Sequence, residues 1–356
     1  MSLAQLPTEL WILICTDSDL EVEDRRNLSL VCWRFRHICS PSILHSVAFS
    51  CTKRGLEDLQ KLAQSECRQY VEYLSYYMPP FLEQAVEQAE QTTVSAPIPD
   101  EEHNDAEAAL LAEAKQIIHQ RSEENQYIMA NGMDLAALSL ALRSLPSLNY
   151  LHLTFRKYPP GGRDAISRKL DDFVAQKETL EYHLPILAQA VSQARAAGRR
   201  FSSIELLGVW LSQRQGPQVL GADEPSRAKL RDCAKQILEG VDCAMLSLCG
   251  DIISLCESTP LGLREMHILN TVVDYEALRT FLKHNISTLK RIKYYFVQLQ
   301  NQPEDEDRWL KAGFFSKILH SFHSTAPSRK RVWRQRREDT HWTFTRVDLG
   351  LNNVTI

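Results

Sequence analysis

The short motifs that announce common chemistries are missing from this chain. It has no glycine-rich phosphate loop, no Gly-x-Ser-x-Gly elbow and no His-Glu-x-x-His helix. Nine cysteines are present, yet no two are spaced Cys-x-x-Cys, so neither a zinc ribbon nor a thioredoxin-type pair can be drawn. Glycine is scarce, with 13 in 356 residues. Gly161-Gly162-Arg163 follows Pro159-Pro160, which makes it a loop tip rather than a phosphate cradle between strand and helix. No apolar run reaches the ~20 residues of a membrane span, and Asp242 and Asp251 interrupt the closest candidate. A basic start followed by an apolar core is also lacking, so no secretory signal is expected. With an odd number of cysteines in no framework, this leads to the expectation of a reducing compartment, cytoplasm or nucleus. The formal net charge of −4 argues against bulk attraction to nucleic acid. The expectation is a protein without catalytic residues, cofactor or metal.

Two places tempt a metal or thiol reading. Cys32, His37, Cys39 and His45 are close in sequence, but Cys32 falls on an apolar stripe and the spacing fits no structural zinc site. A buried thiol beside surface histidines is expected there. Cys243, Cys249 and Cys256 sit in a leucine-rich run and read as small core residues rather than nucleophiles.

What the sequence does have is a sharply patterned beginning. Leu6-Pro7-Thr8-Glu9-Leu10-Trp11-Ile12-Leu13-Ile14 opens with a proline whose missing amide and fixed φ suit a first helical position. Leu6, Leu10, Leu13 and Ile14 then share one helical face. After an acidic break, Leu28, Val31, Cys32 and Phe35 step by three, one and three and form a second stripe. Arg25, Arg26, Arg34 and Arg36 fall mostly off it. Two such short amphipathic helices cannot bury their apolar faces alone. Either they pack into a larger helical core or they meet a partner. A DNA-reading helix-turn-helix fits less well, because Trp33 and Phe35 lie among the arginines and the turn carries no glycine.

The Leu-Pro-x-Glu-Leu start, the Leu-x-x-Val-Cys-x-x-Phe segment and the following Cys39-Ser40-Pro41-Ser42-Ile43-Leu44 together resemble an F-box. The resemblance covers roughly residues 3–49, with one departure: the turn Thr16–Glu23 is more acidic and less apolar than the usual connection. It implies a helical module docking on the Skp adaptor of a cullin-RING ubiquitin ligase, through Leu6, Pro7, Leu10, Ile14, Leu28, Val31, Cys32 and Phe35. The rest of the chain would then select a protein substrate. The alternative is a non-catalytic interaction scaffold whose N-terminal helices merely cap the following domain.

Beyond residue 50 a linker helix spans 51–62 and a strand 71–78, stopped by Pro79-Pro80. Residues 81–91 and 106–125 read as helices around an acidic surface loop at 97–105. From 133 onward a helix-then-strand unit recurs, with strands expected at 150–154, 203–207, 244–248, 263–268 and 289–296. Leu151, Ile204, Leu246, Met266 and Ile292 mark them at steps of 53, 42, 20 and 26 residues. The short steps match leucine-rich repeats and the long ones repeats with insertions. The expected fold is therefore α/β: a helical F-box over residues 1–50, then a linker with a first strand and helical insertion over 51–130. An irregular leucine-rich-repeat-like solenoid of parallel strands and outer helices fills 131–356. A non-repeating α/β domain with a parallel sheet uses the same elements. Helix 304–322 and a last strand at 342–349 close the chain, around a basic tract at 329–337 that reads as solvated surface or a nuclear localisation signal. Tyr73, His152, Glu205, Ser247, His267 and Lys293 are the strand positions expected to face a bound protein target, subject to a register of period two.

Overall fold

A computed structural model describes residues 7–15, 17, 19–78, 104–155, 176–209, 224–247, 249–300, 331–338 and 341–348. Three helices come first: α1 (Thr8–Cys15), α2 (Val22–Val31) and α3 (Trp33–Leu44). Strand β1 (Ser46–Ser50) follows, then α4 (Lys53–Gln64), a 3₁₀ turn (Glu66–Tyr70) and β2 (Tyr73–Tyr77). Helices α5 (Asn104–Asn131) and α6 (Met133–Ser144) precede β3 (Tyr150–Thr154). Helix α7 (Gln176–Ala196) leads to β4 (Ser203–Leu207), and α8 (Glu224–Leu238) to β5 (Cys243–Ser247). The last units are α9 (Gly250–Leu255), β6 (Glu265–Asp274), α10 (Tyr275–Asn285) and β7 (Arg291–Gln300), closed by β8 (Arg331–Glu338) and β9 (His341–Asp348). No described helix is long and apolar enough to cross a membrane. The helices expected at 81–91 and 304–322 lie outside the described residues.

Strands β1 to β7 form a parallel sheet whose order follows the chain, and β9 and then β8 extend it antiparallel. A parallel neighbour requires a crossover, and crossovers are right-handed almost without exception. A sheet that grows in one direction therefore receives its helices on one face. The burial pattern agrees. Leu74 and Tyr76, Leu151 and Leu153, Ile204 and Leu206, Ala244 and Leu246, Met266 and Ile268 and Ile292 and Tyr294 are buried in one cluster with Leu56, Leu138, Leu187, Ile237, Ile252 and Phe281 of the helices. The residues between them are those of the open face.

Local chemistry places the helices. Thr52 Oγ1 accepts from Gly55 N at 3.1 Å to start α4, whose Leu56, Leu59 and Ala63 then fall on the core side. Asp274 Oδ1 accepts from Ala277 N at 2.9 Å to start α10. Helix ends are tied across the layer by arginines. Arg199 donates to the carbonyls of Arg143 and Pro146 after α6. Arg195 of α7 donates to Ile237 O at 2.9 Å and to Gln236 O at the end of α8. Arg231 of α8 donates to Leu255 O of α9 at 3.1 Å. A cation at a helix C-terminus satisfies orphan carbonyls and complements the helix dipole.

Expectations are corrected or refined at five points. The segment 24–36 is not one helix, because Cys32 is extended (φ −158°, ψ 166°) and separates α2 from α3. Helix α1 begins at Thr8, with Pro7 ahead of it accepting from Trp11 N through its carbonyl. Ser46–Ser50 pair with β2, so the sheet starts inside the first fifty residues. The basic tract is largely strand: 331–338 form the sheet's last edge. The repeat marks also shift, since Ile204 lies beside Ala244, not Leu246. The step from β4 to β5 is thus 40 residues and the next, to Met266, is 22.

Strands β6 and β7 carry a paired kink. Asn270 and Phe296 both adopt positive φ, 46° and 48°, at the one interruption of the β6–β7 register. The buried positions switch there from Met266 and Ile268 to Thr271 and Val273. Gly250 opens α9 against this kink, where a Cβ would meet Val272 O at 1.8 Å. Behind it, the buried Asn285 is fully satisfied: Leu261 N donates to its Oδ1, and its Nδ2 donates to Thr259 O and Phe281 O. Replacing it by Leu strands these three groups away from water. Asn285→Leu is expected to cost about 2–3 kcal/mol in urea unfolding, whereas a change at the exposed Lys283 of the same helix should fall within about 0.5 kcal/mol.

Candidate functional site

Two surfaces stand out, one on the helices and one on the sheet. In the helical module, Trp11, Cys15 and Cys39 are buried. The Trp11 ring meets Phe35 edge-on, with centroids 4.5 Å apart. Arg34 Nη2 donates to Thr8 Oγ1 at 2.5 Å and ties α3 to α1. Burial, with Cys15 alongside, pushes the Cys39 thiol up to about 11. This interior is too small to absorb the remaining apolar side chains. Of the 14 large apolar residues exposed among the described ones, eight lie between Leu10 and Trp33. Leu13, Leu30, Val31 and Trp33 are the most open, at 67%, 73%, 68% and 77%.

The residues expected to meet an adaptor therefore divide. Pro7, Leu10, Ile14, Val31 and Cys32 are exposed, and Leu28 is half-buried. Phe35 is also half-buried and holds α1 to α3 through Trp11. Leu6 lies outside the described residues. The exposure of Cys32 corrects the buried thiol expected there, and it follows from the break between α2 and α3. Cys39 is the buried one, and Cys32, His37, Cys39 and His45 form no metal-ligand group.

The open face of the sheet is a grid set by the parallel register. One row runs Tyr73, Tyr150, Ser203, Cys243, Glu265, Arg291. The next runs Ser75, His152, Glu205, Met245, His267, Lys293. All six positions anticipated from the sequence lie on this face. His152, Glu205, His267 and Lys293 share the second row, Tyr73 begins the first, and Ser247 lies in the third beside Leu207 and Leu269. Ser247 is buried, and Tyr73 is exposed. Tyr150, Cys243 and Glu265 belong to the same surface but were not anticipated. For Cys243, a leucine-rich run concealed a position facing away from the core.

Between β1 and β6 this face is hollowed into a cavity of about 570 Å³, a size suited to a small ligand or a few side chains of a partner. Tyr73 and Tyr150 stack with centroids 4.2 Å apart and planes 5° from parallel, and His45 lies 5.0 Å from Tyr73 on the other side. His152 is held by Thr154 Oγ1 at 3.0 Å and Ser75 Oγ at 3.4 Å. At the far wall His267 Nε2 lies 2.7 Å from Glu265 Oε1, and Arg291 Nη1 lies 3.1 Å from Glu265 Oε2. Burial lowers the His267 imidazole below its ordinary value more than Glu265 raises it. Burial opposes ionisation of Glu265, but the bonds from His267 and Arg291 outweigh it and hold the carboxyl low. A neutral His267 that donates through Nε2 satisfies both partners.

Among the described residues two side-chain groups have the spacing of metal ligands: Cys243, Glu265 and His267 in the cavity wall, and the buried Cys51, Asp134 and His183 in the helix layer. Sequence reading could not assemble either, since each joins residues from separate units. In the first, Arg291 and His267 already occupy the Glu265 oxygens, and burial keeps the Cys243 thiol protonated. In the second, Asp134 accepts from Leu135 N and Tyr182 Oη, both at 2.8 Å, and burial pushes the Cys51 thiol up to about 12. Both are explained as hydrogen-bonded clusters.

No protein-family model and no curated protein matches the chain.

The wall of the cavity makes a test by titration. Removing the Arg291 charge favours protonation of its neighbour, so Arg291→Ala should raise the His267 pKa in an NMR titration. Glu265→Gln removes the carboxylate that favours the imidazolium and should lower it. Shifts in the opposite directions would show that His267 does not sit between these groups as described.

Proposed function

We propose that the chain is a substrate-recognition adaptor of a Skp-cullin-F-box ubiquitin ligase. Helices α1–α3 are read as the F-box, and the sheet with its one-sided helix layer as an irregular leucine-rich-repeat-like solenoid. The module engages the Skp adaptor, and the open face of the sheet holds a protein target. Ubiquitin transfer is done elsewhere in the complex, and tethering makes it effectively intramolecular. The chain itself supplies position rather than catalysis.

The observation that carries this reading is the apolar surface left open on α1 and α2. Large apolar side chains left exposed in such number within one short module are what an interaction site offers. A capping role would bury Leu13, Leu30, Val31 and Trp33 within the chain, and they are instead its most exposed large apolar residues in the module. Support also comes from the joint between the parts. Only His45 separates α3 from β1, so a partner on α1–α3 would be held at a set angle to the sheet.

Co-purification with recombinant Skp adaptor tests the proposal. The wild-type chain should elute with the adaptor, while Leu10→Asp and Val31→Asp should each weaken capture at least about tenfold, since each places a charge in an apolar contact. Both side chains are exposed, so the variants should keep the wild-type unfolding midpoint. No capture of the adaptor by the wild-type chain would refute the reading.

A further inference from the structure

We propose that the cavity on the open sheet face is an arginine-binding slot, so that the protein it holds presents an exposed arginine side chain there. The inference rests on the reading of this face as the target-holding surface, and it adds the chemistry of what is held.

Among the described residues the cavity's lining carries three carboxylates, Glu205, Asp242 and Glu265, and no lysine or arginine. Two of the three are already engaged. Arg264 Nε lies 3.3 Å from Asp242 Oδ1, and Glu265 is held by His267 and Arg291. Glu205 alone has no hydrogen bond or ion pair among the described residues, and it is half-buried in the middle of β4. A carboxylate removed from part of its water and left without a partner favours a cationic ligand. His152, next to it in the row, is fixed by Ser75 and Thr154 and is not turned to it for a bond.

The shape of the slot selects among cations. In the first row Tyr150 is followed by Ser203 and Cys243, two small side chains, before the bulk of Glu265. One ring face of Tyr150 is covered by Tyr73. The other borders the space above Ser203, one strand away at about 4.8 Å. A planar group stacked on that face would lie over Ser203 with its edge toward Glu205, which is two residues further along the same strand. Guanidinium matches this: it is flat, stacks on aromatic rings and donates two parallel N–H bonds to one carboxylate. A lysine ammonium offers the charge but neither the plane nor the fork.

The test uses the full chain and three small probes, the N-acetyl amides of arginine, lysine and citrulline, with affinities read by ligand-observed NMR. Arginine should bind, and citrulline, which keeps the shape and loses the charge, should bind at least about tenfold more weakly. Glu205→Gln should abolish the arginine preference over citrulline. Tyr150→Ala should reduce arginine to the level of lysine. Equal binding of arginine and citrulline to the wild-type chain would overturn the inference without relying on any variant, as would absence of arginine binding at millimolar concentration. Adaptor capture measured on the same preparations separates the two readings. Capture with no arginine binding refutes only the slot, and arginine binding without capture refutes only the ligase role.

Discussion

The parallel hydrogen-bond ladder from β1 to β7, taken strictly in chain order, is the constraint on which the remainder of this molecule depends. Each strand adds at the same edge in the same direction, so each connection must cross on the same side. The apolar residues at alternate strand positions then share one helix-covered core, from Leu74 to Tyr294. The intervening residues form the opposite face, where most of those on β1 to β7 are half-buried or exposed. The stacked tyrosines, Glu205 without a partner among the described residues and the His267–Glu265–Arg291 wall are consequences of that register. A slip of one residue in any strand would bury its charged positions and expose its leucines.

The helical module obeys a different balance. Its interior is little more than Trp11, Cys15, Cys39 and the edge of Phe35. Three short helices around so few side chains cannot cover Leu13, Leu30 and Val31. The break at Cys32 adds to this, because it ends α2 at Val31 instead of letting one long stripe pack continuously. The surface that results has the properties of an interface awaiting its other half, in keeping with the proposed adaptor role. The sheet face differs in kind: it mixes aromatic side chains with hydrogen-bonded polar ones and is open as a groove rather than as an apolar patch.

Much of the architecture was legible in the sequence, and the exceptions have physical causes. Strands 150–154 and 203–207 were readable to the residue, because alternation and flanking turns both mark them. Leu246 marked its strand in the sequence, yet the ladder pairs Ala244 with Ile204. Periodicity reports which face a residue takes, not which rung. Strand β1 was hidden because Ser46-Val47-Ala48-Phe49-Ser50 follows three helices directly and is only partly buried at the sheet edge. Cys32 lay on a plausible helical stripe, and only the extended backbone there shows that the stripe is broken. At the open face, parity alone found His152, Glu205, His267 and Lys293. The small residues that make room beside Tyr150, Ser203 and Cys243, carry no signal of their own and become meaningful only in register.

The central claim is that the two surfaces have separate partners, the helices an adaptor and the sheet a target. Amide hydrogen exchange on the full chain, alone and with recombinant Skp adaptor, tests it most directly. Added protection confined to residues 8–44, with β2 to β6 exchanging as before, is the predicted result. Protection spread over the open sheet face, or none anywhere at saturating adaptor, would contradict it.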